Sequence, residues 1–124
     1  MRVELPLGDV IDRATILRIK IERIPRSAAR ENCLRQLDAI EREWVGPPMQ
    51  SLPEYATLLA INERLWVVED ALREHEREQR FDTRFIELAR EVYRNNDERA
   101  RLKRALDERL QSRLVEDKYH GHAG

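Results

Sequence analysis

Any chemistry in this chain has to come from polar residues that interrupt apolar helical stripes. Between about 52 and 79 the inward positions read Tyr55, Leu58, Leu59, Asn62, Leu65, Trp66, Glu69 and Leu72. Asn62 and Glu69 lie seven residues apart and so share one helix face, with Trp66 between them and Arg73 one turn beyond. A second lapse covers Tyr93-Arg94-Asn95-Asn96-Asp97-Glu98-Arg99, before the apolar period resumes at Ala100. Whichever way that helix is rotated, at least one of Asn95, Asn96 and Arg99 points inward. Polar groups removed from water cost roughly 1–3 kcal/mol each when unpaired, so the two lapses must satisfy each other or a ligand.

Two readings stay open. One is a hydrogen-bonded network that fixes helix register or subunit pairing. The other is a small-ligand site, with Arg73, Arg99 and Lys103 for a phosphate or carboxylate, or Glu69 and Asp97 for a hard cation. Glu69 is expected to be buried and paired with Arg73 or Arg99, near Tyr93 and Asn96. Asp12 and Lys20 are secondary candidates on an isoleucine-rich stretch. The pair Asp9 and Asp12 also suits helix-dipole compensation. Established catalytic patterns are missing. There is no Gly-rich phosphate loop, no Ser/His/Asp or Cys/His set, and no second histidine one turn from His75. The paired-carboxylate spacings of helical pyrophosphatases are absent. Arg113 and His120 match a helical nuclease pattern only weakly, and Arg99 with Lys103 gives too few cations for a helical chorismate mutase. No catalytic residue, metal or cofactor is assigned.

Composition narrows the partners. The 124 residues carry 23 basic and 24 acidic side chains, a net charge of −1, which gives no long-range pull toward nucleic acid or an anionic membrane. The 20 arginines and 3 lysines alternate with glutamates, as solvated helix faces do. No apolar run approaches the ~20 residues of a membrane span, and MRVELPLGDV lacks a signal peptide's apolar region. Cys33 has no disulfide partner in the chain. A cytoplasmic protein is expected.

Only 4 glycines and 5 prolines punctuate the chain, and neither type occurs between 54 and 120. That stretch is expected to break near 80–82, where Asp82 is a good N-cap and Phe81 and Ile86 could form a hydrophobic staple. The result is an all-α, four-helix arrangement in one helical domain over 1–124. Its helices run about 9–24, 27–45, 52–79 and 83–114, and the last two form a long antiparallel hairpin. Asp9 and Ser27 are the expected N-caps of the first two helices, and Ser51 with Glu54 suggests a capping box for the third. A short extended N-terminal segment, Val3–Leu5, alternates like a strand and has no partner in the chain. With the hairpin turn near 80–81, facing residues sum to about 161, setting Asn62 opposite 99, Trp66 opposite 95 and Glu69 opposite 92. The longer hairpin would leave Leu106, Leu110, Leu114 and Val115 uncovered by the shorter helices. A homodimer is therefore expected, with Val3–Leu5 as a cross-subunit contact.

Three stretches carry a family resemblance: Val3-Glu-Leu-Pro-Leu-Gly-Asp-Val-Ile-Asp-Arg-Ala-Thr-Ile-Leu-Arg-Ile-Lys20, Leu65-Trp-Val-Val-Glu-Asp-Ala-Leu-Arg73, and Phe85 through Arg99 with Lys103. Together they resemble a family of small bacterial helical proteins, a domain of unknown function. The Leu-Trp-x-x-Glu-Asp-x-x-Arg and Asn-Asp-x-Arg pieces are similar to a second such helical family. The resemblance implies that Gly8, Asp9, Asp12, Lys20, Trp66, Glu69, Asp70, Arg73, Tyr93, Asn96, Asp97, Arg99 and Lys103 are signature positions. It also implies a neighbourhood of glycosyltransferases and surface-polysaccharide assembly. The expected role is a homo-oligomeric interaction or accessory module, linked to surface-polysaccharide or glycoconjugate assembly. The alternative is a protein or enzyme that binds a phosphosugar or nucleotide sugar at the polar patch between the third and fourth helices.

Overall fold

The computed structural model describes residues 1–111. Among these it is all-helical, with α1 (Leu7–Arg23), α2 (Ala28–Glu43), a 3₁₀ turn (Met49–Ser51), α3 (Pro53–Arg77) and α4 (Thr83–Arg109). Leu114, Val115, Arg113 and His120 lie outside the described residues. Residues 1–6 form no strand, and Val3 and Leu5 are exposed.

Local signals explain most boundaries. Ser27 accepts the Arg30 amide at 3.3 Å and Asp82 accepts the Phe85 amide at 3.0 Å, as N-caps do. Three expectations need correction. Pro6, not Asp9, precedes α1, and Asp9 sits in the first turn where its charge meets the helix dipole. Ser51 belongs to the 3₁₀ turn and donates to the Pro48 carbonyl at 2.6 Å, while Glu54 is paired with Arg109 at 2.7 Å. Pro53 instead opens α3 at its first turn, where its missing N–H is harmless. At the α3–α4 turn Phe81 packs edge-on against Phe85, with centroids 5.2 Å apart, and leaves Ile86 exposed. The turn itself needs Gln79 in the left-handed region, at φ 55°.

α3 and α4 form the antiparallel hairpin, tied by Glu54–Arg109 at one end and Arg64–Glu91 (2.8 Å) nearer the turn. α1 lies in the hairpin's groove, parallel to α3 and antiparallel to α4, and α2 packs on α1 through Arg30 Nε to the Ile21 carbonyl at 2.9 Å. This placement explains why α1 carries isoleucine on several sides. The core gathers Ile11 and Ala14 from α1, Met49 and Leu52 from the loop, Tyr55 and Leu58 from α3, and Leu102 and Leu106 from α4. Leu106 is fully buried and Leu110 packs against the same core, so these two residues are covered within the chain by α1, α3 and the loop before it. Among the described residues, the hairpin end near the turn is the part that α1 does not cover.

Close approach of α1 to α4 depends on Gly8. A Cβ there would lie 2.9 Å from Asp107 Oδ1 and closer still to the Lys103 carbonyl oxygen. With no side chain in the way, the Gly8 amide donates to Asp107 Oδ1 at 2.7 Å. A carboxylate of α4 thus caps the start of α1, satisfying one of the four free amides at that end.

Candidate functional site

The polar lapses of α3 and α4 do meet, but α1 supplies the carboxylate between them. Asp12 is 4% exposed and takes a two-pronged pair from Arg99, Nε to Oδ1 at 2.8 Å and Nη2 to Oδ2 at 2.5 Å. Asn62, 5% exposed, donates Nδ2 to Asp12 Oδ1 at 3.0 Å and to Thr15 Oγ1 at 2.9 Å. Thr15 Oγ1 in turn donates to the Asp12 carbonyl at 2.7 Å. These partners settle the amide's orientation, because a carboxylate only accepts and the threonine proton is already committed. The Asn62 Oδ1 atom therefore faces away from Asp12 and accepts no hydrogen bond from any described residue. Asn96 Oδ1 accepts from Arg99 Nη1 at 3.4 Å, and one helical turn further along α4 Lys103 Nζ pairs with Asp9 Oδ1 at 2.8 Å.

Beside this network lies a cleft between α1, α3 and α4 of about 260 Å³. Ile16, Ile19 and Leu65 form its apolar wall, Trp66 its aromatic one, and Lys20, Asn62, Arg73, Arg99 and Glu69 its polar lining. A second cavity of about 420 Å³ adjoins it, lined by Leu5, Asp9, Asp12, Arg13, Leu17, Gln36 and Lys103. Ile16, Lys20 and Arg99 border both cavities. Lys20 is half-buried, and its ammonium makes no hydrogen bond or ion pair with any described residue.

The expected site residues therefore divide into groups. Asn62, Asn96 and Arg99 join the network with Asp12. Trp66, Glu69, Arg73 and Lys20 line the adjoining cleft, and Lys103 lines the second cavity. Tyr93 and Asp97 are exposed on the outer side of α4. The expectation of a buried Glu69 is overturned: its side chain is 48% exposed and stands 4.0 Å from Arg73, which is more exposed still and held by Asp70 at 3.0 Å. The physical reason is the length of α1. The guanidinium of its last residue, Arg23, lies 6.0 Å from the Trp66 ring centre, so beyond Trp66 α1 no longer covers that side of α3. From there the buried positions of α3 are Val68 and His75, the latter against Phe85 of α4. Thr15 and Gln36 escaped the sequence reading. Thr15's one available signal was its position three residues after Asp12, where a hydroxyl reaches back to the preceding turn.

Groups shifted from their ordinary titration ranges lie away from the cleft, at Glu74, Asp82 and the Glu98–Arg101 pair. Asp82 is held below the usual carboxylate range, first by the Phe85 amide and then by the nearby His75 and Arg80 charges. Glu74 is lowered by its hydrogen bond from Arg77, and Glu98 by that from Arg101. Among the described residues no three His, Cys, Asp or Glu side chains gather as a metal ion would require, and no helix is long and apolar enough to cross a membrane. Compared with protein-family models, curated proteins and solved structures, the chain matches none of them.

Proposed function

We propose that the protein binds a small phosphorylated ligand, a sugar phosphate being the fitting class, in the cleft between α1, α3 and α4. Lys20 is the observation that carries this reading: a half-buried side chain, bordering both cavities, whose ammonium has no counter-ion among the described residues. An ammonium without a counter-ion at the edge of a cleft is available to pair with an anionic group there. Arg99 stands beside it, held rigid by the two-pronged Asp12 pair, so little side-chain freedom is lost when it binds. Asn62 Oδ1 is an open acceptor for a hydroxyl. The Trp66 face and its isoleucine and leucine neighbours suit the apolar side of a ring. Such a ligand also fits the accessory role in surface-polysaccharide assembly that the sequence resemblance implies.

Isothermal titration of the whole chain with glucose 1-phosphate, and with glucose as the uncharged control, tests the reading. Binding is expected for the phosphate alone, and Lys20→Met should weaken it by roughly tenfold or more, as loss of a charge-assisted hydrogen bond does. No heat with the phosphate at millimolar concentration, or unchanged affinity in Lys20→Met, would overturn it.

A second reading, self-association, is supported by the uncovered hairpin end. Between Trp66 and Arg77, α3 continues for roughly 16 Å beyond α1 at ~1.5 Å per residue. There Leu72, Phe85 and Ala89 line a shallow groove of about 490 Å³, flanked by the exposed Ile86. Arg73, Glu76 and Arg77 share that groove, so a two-fold related copy would set the arginines of one against the glutamate of the other. Light scattering at tens of micromolar should give a dimer mass that Phe85→Asp reduces to that of a monomer. A monomeric mass for the unmodified chain refutes this second reading.

A further inference from the structure

Resting on the phosphate-binding reading, we infer that the ligand is the phosphate of an amino sugar, with Lys20 taking the phosphate and Glu69 the protonated amine. The inference comes from which charges of the cleft are already committed within the chain. Arg99 gives two hydrogen bonds to Asp12 and a third to Asn96. Arg73 donates to Asp70 at 3.0 Å. Both guanidinium charges are therefore offset before any ligand arrives. Two charged groups of the lining remain without a hydrogen bond among the described residues, the Lys20 ammonium and the Glu69 carboxylate. The ion pair of Glu69 with Arg73 Nη2, at 4.0 Å, is too long to be one. Arg73 thus stands between two carboxylates, Asp70 and Glu69, and that corner of α3 keeps a surplus of one negative charge. Glu69 is 48% exposed, so water holds the charge until a cation replaces it.

Lys20 and Glu69 have opposite signs, line the same cleft and stem from different helices, yet they form no ion pair with each other. A plain sugar phosphate satisfies only the lysine. It also brings its negative charge into a lining that already holds a carboxylate without a close partner, and like charges repel. An amine on the sugar reverses the sign of that second interaction. Its ammonium donates to Glu69 while the phosphate accepts from Lys20, so both contacts are charge-assisted. The ligand's two charges stand apart as the two side chains do, and the ring joining them rests against Trp66, Ile19 and Leu65. Asn62 Oδ1 accepts from a ring hydroxyl, as no described residue donates to it. At about 260 Å³ the cleft lies just under the ~300–1,000 Å³ of ordinary ligand pockets, a size that suits one substituted ring.

The test is isothermal titration of the whole chain, buffered below the pKa of the sugar amine. It compares glucosamine 1-phosphate with glucose 1-phosphate, and glucosamine 6-phosphate with glucose 6-phosphate, so that two spacings of the charges are covered. The glucose esters should bind through Lys20. In at least one pair the amino sugar should bind at least about tenfold more tightly, the effect of one added charge-assisted contact. The N-acetyl form of that sugar phosphate, whose nitrogen carries no charge, should lose the advantage. Glu69→Gln, a change on the half-exposed side of α3, should also erase it while leaving the glucose ester bound as before. A smaller advantage in both pairs overturns the amino sugar and leaves phosphate binding intact. So does an advantage that survives either N-acetylation or Glu69→Gln. If the glucose esters give no heat at millimolar concentration, the phosphate-binding reading falls and this inference with it.

Discussion

Asp12 is the residue whose loss should be felt most, and the structure allows the effect to be sized. Its side chain is only 6% exposed and receives three hydrogen bonds, two of them from the Arg99 guanidinium. Asp12→Ala removes the carboxylate and leaves a cation and an amide facing a void. Breaking a buried ion pair in this way costs about 3–5 kcal/mol. Arg99 is 27% exposed and can turn partly toward water, which places the expected loss near the lower bound, about 3 kcal/mol. For a urea slope of ~1.5 kcal/mol per molar, the unfolding midpoint should fall by about 2 M. Glu69→Ala is the informative comparison, because Glu69 is 48% exposed and loosely paired, so its removal should stay within about 0.5 kcal/mol. The double variant Asp12→Ala with Arg99→Met should recover at least about 1 kcal/mol of the loss, since it no longer strands a charge. Equal midpoints for Asp12→Ala and Glu69→Ala would refute the account, and so would a double variant no better than Asp12→Ala alone.

Three other outcomes follow from the geometry. Gly8→Ala places a methyl against the Lys103 carbonyl, a backbone atom that cannot step aside; thermal or urea unfolding should show a loss of about 3 kcal/mol, at the upper end for overpacking. Gln79→Gly, at φ 55°, relieves a left-handed non-glycine residue and should raise stability by about 1 kcal/mol, and a loss would show that the Gln79 side chain matters more than its backbone. Asp82, whose folded carboxyl titrates below its unfolded value, adds stability that is complete above the unfolded pKa and disappears as pH falls through the folded one. Asp82→Asn keeps a capping side chain without that titration, so its urea midpoint should drop less than that of the unmodified chain between pH 5 and about pH 3.

Much of this architecture is legible in the residues. The four helices, the Ser27 and Asp82 caps and the antiparallel register follow from apolar spacing and punctuation. The register places Asn62 level with Arg99, and both indeed reach Asp12. The third partner was not legible there. Asp12 sits in the second turn of α1, where an acid also serves the helix dipole, and nothing local distinguishes that role from a buried pair 87 positions away. Glu69 misleads for the opposite reason. Its seven-residue spacing from Asn62 marks a shared face, but whether a face is inward depends on a neighbour's length, and α1 ends before reaching it. The cavities were equally hidden. They depend on how deeply α1 settles into the hairpin groove, which is set by the absence of a side chain at Gly8.

That seam has a consequence for how the chain is made. Gly8 and Asp107 are 99 positions apart, so α1 emerges from the ribosome long before the helix that caps it exists. α3 and α4 can zip together locally from their short turn, whereas α1 must wait and then insert into a finished groove, closing a long loop as it does. Substitutions along the α1 seam should therefore act chiefly on the rate of unfolding, and those near the hairpin turn on the rate of folding. The last helix to dock is also the wall shared by both cavities. Its partial release would open the two chambers at once, so the lifetime of a bound ligand and the mechanical hold on α1 would rise and fall together.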